Sequence, residues 1–76
     1  MGLFGIQWNS TQEWTSTNYD YERSLMYDRV NYGDHYPEGI DTCNRIIDRA
    51  RDEHKVLKII AMKTLPKWTW YFKVVE

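Results

Sequence analysis

The run Trp68-Thr69-Trp70-Tyr71-Phe72-Lys73-Val74-Val75 alternates in side-chain character, residue by residue. In an extended strand successive side chains point to opposite sides. Trp68, Trp70, Phe72 and Val74 therefore share one face, and Thr69, Tyr71, Lys73 and Val75 the other. Just upstream, residues 56–64 are rich in β-branched and aliphatic side chains, and only Leu65-Pro66-Lys67 separates the two runs. Two strand-like runs joined by a short proline-containing connection read as an antiparallel hairpin, here 56–64 and 68–75. Its aromatic face needs a second layer to cover it.

The cover is legible a little earlier. Ile40, Cys43, Ile46, Ile47 and Ala50 recur at helical spacing, while Asp41, Arg45, Asp48, Arg49 and Asp52 fill the opposite side. Pro37 and Asp41 suit a helix start, and His54 with Lys55 suits its end. The spacing predicts a helix over about 39–53 that lays a narrow aliphatic stripe on the hairpin.

Upstream of the helix the pattern is weaker. Phe4, Ile6 and Trp8 alternate, which predicts a short first strand, and residues 9–12 are turn-like. Thr15, Thr17, Tyr19 and Tyr21 alternate with polar residues, which favours a strand over 15–21. Residues 24–31 fit either element, and we read them as a further strand. Residues 31–39 hold Gly33, Pro37 and Gly39 and read as a loop. The expected fold is a single α+β domain over 1–76: an antiparallel sheet of about four to five strands, one helix on one face, and a closing hairpin.

A 76-residue chain builds only a small core. Small domains are usually stapled by disulfides, a metal or a partner. Cys43 is the lone cysteine, and with His35 and His54 it falls short of a structural zinc set. A homodimer is one remaining route to stability. No cofactor or metal site is expected. The lone cysteine and the lack of a basic-then-apolar leader point to the cytoplasm. Apolar runs are strand-sized, so no membrane span is expected.

The net charge of −1 argues against general nucleic-acid binding, but it is unevenly spread. Residues 1–53 hold ten acidic side chains against five arginines, a balance of −5; residues 54–76 hold five lysines against one glutamate, a balance of +4. Lys58, Lys63, Lys67 and Lys73, beside Trp68, Trp70 and Tyr71, resemble a platform for single-stranded nucleic acid. Core-building tryptophans and edge-protecting lysines explain the same residues.

Enzymatic chemistry finds little support. Asp34-His35 are adjacent without a nearby nucleophile, and Cys43 sits on the apolar stripe where a reactive thiolate is disfavoured. Arg45, Arg49 and Arg51 alternate with acids and read as a solvated helix face. We assign no catalytic residue.

The segment 19–41 is the most unusual. It carries Tyr19, Tyr21, Tyr27, Tyr32 and Tyr36, and six acidic residues against Arg23 and Arg29 alone. Tyrosine gives rigid contact area with a polar tip and is frequent at interaction hot spots. A core this small cannot bury them all. The expected partner-binding set is Tyr19, Asp20, Tyr21, Tyr27, Asp28, Tyr32, Asp34 and Tyr36. Short, acidic, aromatic-rich and without catalytic motifs, the chain resembles the small proteins with which phages and mobile elements block host or defence proteins. That resemblance implies a non-enzymatic inhibitor or adaptor whose partner is another protein, such as a basic nucleic-acid-binding one. The alternatives are single-strand binding by the hairpin and a nucleotide trap.

Overall fold

A computed structural model describes residues 10–64 and 66–76. In chain order it contains β1 (Thr11–Ser16), α1 (Tyr19–Asn31), α2 (Ile40–Asp52), β2 (Val56–Lys63) and β3 (Trp68–Val75). The strands form one antiparallel sheet in the order β1-β2-β3. The fold class is α+β, with the expected hairpin and the expected helix within a residue of their predicted bounds.

Two expectations fail. Among the described residues the sheet has three strands, not four to five, and two helices cover it, not one. Of the strand expected at 15–21, residues 15–16 end β1 and 19–21 begin α1; the strand expected at 24–31 is helical throughout, and Thr11 and Gln12, expected in a turn, belong to β1. The strand expected at 3–8 lies outside the described residues.

The switch occurs at Ser16–Asn18. Ser16 Oγ accepts a hydrogen bond from the Asn18 amide at 3.0 Å, and the Asn18 carbonyl accepts the first helical bond, from the Glu22 amide at 3.1 Å. Glu22, Arg23, Leu25, Met26 and Arg29 then supply good helix formers. The helix hides from pattern reading because its two sides are mixed. Glu22 is buried beside Met26, while tyrosines lie on the exposed side.

Register explains the core. Trp14 pairs with Ile59, which pairs with Phe72, so three large side chains stand abreast on one face. Ala61 pairs with Trp70, and Leu57 with Val74, on the same face. Cys43, Ile47 and Ala50 of α2 and Met26 of α1 complete a buried cluster with Leu57, Ile59, Ala61, Trp70 and Phe72. Burying each large member stabilises the fold by roughly 1.5–3 kcal/mol.

The helices are antiparallel, and three contacts step along their seam. Asp20 meets Arg51, Arg23 meets Asp48, and Tyr27 meets Asn44. Both helices end in the same way. The Asp34 amide donates to the Arg29 carbonyl and the Gly33 amide to that of Val30; likewise Lys55 donates to Ala50 and His54 to Arg51. This paired closure needs one residue in the left-handed region. Gly33 (φ 87°) takes it for α1, and His54 (φ 55°) for α2.

Candidate protein-binding face

The eight expected site residues divide into two groups. Tyr19, Asp34 and Tyr36 hold the fold together. Tyr19 is half-buried against the core, and its hydroxyl donates to the Lys55 carbonyl at 2.6 Å. Asp34 accepts a hydrogen bond from Trp70 Nε1 at 2.9 Å. Tyr36 stacks near-parallel to Trp70 and Phe72, with ring centroids 6.4 Å from each, and its hydroxyl reaches the Met26 carbonyl at 3.3 Å. Burial pushes the Tyr36 hydroxyl well above the usual phenol range, although nearby Arg29 opposes the shift. These three side chains, each partly buried, carry contacts within the fold.

The other five share the solvent side of α1 and its C-terminal turn. Tyr21, Tyr27 and Tyr32 are 55%, 46% and 76% exposed. The Asp20 side chain is 89% exposed, and Asp28 is exposed as well. Spacings of seven and four residues put Tyr21, Asp28 and Tyr32 in one row. Asp20 and Tyr27, seven apart, form the next.

Both arginines of the segment turn away from this face. Arg23 enters the interhelical seam, donating to Asn44 Oδ1 at 2.7 Å and to Asp48 Oδ1. Arg29 lies over the Trp70 ring, 4.3 Å from its centroid. The segment's own cations thus leave an aromatic face that carries Asp20 and Asp28, with Arg51 of α2 at its border, 4.0 Å from Asp20. Asn44, held by Arg23, in turn donates to the Tyr27 hydroxyl at 2.6 Å. That bond fixes one tyrosine of the face.

The candidate chemical residues have structural surroundings. Cys43 is fully buried in α2, and burial pushes its thiol up to about 11, with Glu38 adding to the rise. His35 joins the edge of β3 through its backbone: its amide donates to the Trp68 carbonyl, and its carbonyl accepts from the Trp70 amide. Its side chain has no bond to Asp34, whose carboxylate is on Trp70. His54 is the exposed terminator of α2. Arg49 is paired with Glu53 and Glu76, and Arg51 with Asp48 and Asp52.

The hairpin lysines do not form one platform. Lys58 and Lys73 pair across the outer face with Tyr71 one step along, while Lys63, Trp68 and Trp70 lie on the helix side. Trp70 is almost fully buried. Sequence reading missed the cleft beside it, where small Ala61 stands opposite Trp70. The cleft is lined by Gln12, Arg29, Ala61, Trp68 and Trp70 and has a volume of about 200 Å³. The visible signal was a small residue paired with the largest one.

Among the described residues no helix is long and apolar enough to cross a membrane. Compared with known proteins, the chain matches no family model, no curated protein and no solved structure.

Proposed function

We propose that this protein is a non-enzymatic binding module, an inhibitor or adaptor that docks the acidic tyrosine face of α1 onto a basic surface of another protein. The observation that carries this reading is the placement of Tyr21, Tyr27, Tyr32, Asp20 and Asp28 together on solvent while Arg23 and Arg29 turn inward. Exposed tyrosines bury much area at small entropic cost. Asp20 and Asp28 select arginine- or lysine-bearing partners and speed their approach. A nucleic-acid-binding protein of a host or a defence system has such a surface, and covering it would block its function.

The test is affinity capture from the native host, followed by titration of the purified captured protein. The double variant Tyr21→Ala/Tyr32→Ala should weaken binding at least tenfold, about 1.4 kcal/mol, with its melting temperature nearly unchanged. Affinity should also fall as salt rises. Binding that is indifferent to both tyrosines and to salt would discard this face.

A further inference from the structure

The cleft beside Trp70 lies on the inner face of the sheet, on the other side of α1 from the tyrosine face. Its floor is Ala61, whose short side chain leaves room that a larger residue would fill. Trp68 and Trp70 line it, as does Gln12 of β1, the register partner of Ala61. Arg29 closes it from above. At about 200 Å³ it is smaller than drug-sized pockets of roughly 300–1,000 Å³, so it suits one flat ring with a substituent.

Arg29 is the charged side chain of its lining. Among the described residues Arg29 has no carboxylate within ion-pair distance; its side chain is held by the Trp70 ring. Asp34 is engaged by the Trp70 indole, and Glu22 lines a separate small cavity that Arg29 also borders. A guanidinium that lies over a ring and has no carboxylate partner keeps N–H groups available for an anion. Strand alternation puts Lys63, outside the lining itself, on the same side of β2 as Ala61 and in register with Trp68. Lys67 donates to the Tyr32 carbonyl at 2.9 Å, which offsets the partial negative charge of the α1 terminus nearby.

We infer that this cleft binds a nucleoside phosphate, its base against Trp68 and its phosphate on Arg29 and Lys63. An aromatic wall with an arginine over one of its rings and a second cation matches the way single bases and their phosphates are held. A dianionic phosphate uses both cations, whereas a neutral ring uses neither. The ligand is either a free nucleotide or one nucleotide of a single strand, and the two share this chemistry.

The experiment titrates the full chain with AMP, with adenosine and with a short single-stranded oligoadenylate, following the indole N–H signals of Trp68 and Trp70 by NMR. Saturable shifts of both signals with AMP are expected, and adenosine should bind at least tenfold more weakly. Arg29→Gln and Trp68→Ala should each weaken AMP at least tenfold, while Lys73→Gln on the outer face should not. Tighter binding of the oligoadenylate supports a strand as the source; equal or weaker binding supports the free nucleotide. Two outcomes overturn the assignment: no saturable shift with either phosphate ligand, or affinity unchanged in both cleft variants while their remaining spectra stay native.

Discussion

The Trp70 indole N–H donates to the Asp34 carboxylate at 2.9 Å, across 36 positions of sequence. The termination of α1 delivers this bond. Gly33 in the left-handed region turns the chain so that Asp34 meets Trp70 and His35 meets the edge of β3. One turn thereby ties a helix end, a loop and the sheet together. Asp34→Ala should lower stability by about 1–2 kcal/mol, because it leaves a partly buried indole donor without its charged acceptor. Asp34→Asn, which keeps an acceptor, should lose less. Urea unfolding compares the two.

Core substitutions should be severe in so small a domain. Trp70→Ala removes a wall shared by Trp14, Tyr36 and Arg29 and should cost about 3–5 kcal/mol. That is comparable to the whole stability available to a chain of this size. The expected result is loss of the cooperative thermal transition by circular dichroism. Tyr32→Ala, at a highly exposed position, should change stability by less than about 0.5 kcal/mol.

His54 offers the opposite effect. It holds a left-handed backbone that costs a residue with a Cβ about 1 kcal/mol, and it is exposed at the end of α2. His54→Gly should raise stability by about 0.5–1 kcal/mol, seen as a higher melting temperature. An unchanged or lower melting temperature would mean that the imidazole contributes more to the helix end than its backbone costs.

Stability should fall on the alkaline side. Burial holds the Cys43 thiol up to about 11 and pushes the Tyr36 hydroxyl upward as well, so both stay protonated in the folded chain. In the unfolded chain a thiol ionises near about 8.5. Above that pH the unfolded state releases a proton that the native state retains. The thiol's contribution is therefore intact below about 8.5 and is lost as pH rises toward about 11, a decline of roughly 1–3 kcal/mol. Denaturation midpoints across this range measure it, and Cys43→Ala should flatten part of the fall. Alkylation of Cys43 should likewise track unfolding.

The interhelical seam is the last expectation. Arg23 joins α1 to both Asn44 and Asp48 of α2, partly shielded from water. Arg23→Ala should cost about 1 kcal/mol by denaturant unfolding. It should also loosen Tyr27, whose hydroxyl depends on Asn44.

The hairpin and α2 were legible in sequence because each has a regular apolar period that its own layer then buries. Period two assigns Trp70, Phe72 and Val74 to one face, and helical spacing assigns Cys43, Ile47 and Ala50 to another, whatever lies upstream. Helix α1 was not legible. Its buried side includes Glu22 and its exposed side includes Tyr21 and Tyr27, so hydropathy marks neither. Only the packing of Met26 under the sheet, with Arg23 on α2 and Arg29 on Trp70, settles it as a helix. The same folding step divided the tyrosines. Sequence could show that five were too many for the core. Which of them remained on the surface depended on long-range contacts: Lys55 for Tyr19, and Trp70 with Phe72 for Tyr36. Such contacts join residues far apart in the chain, so no local pattern encodes them.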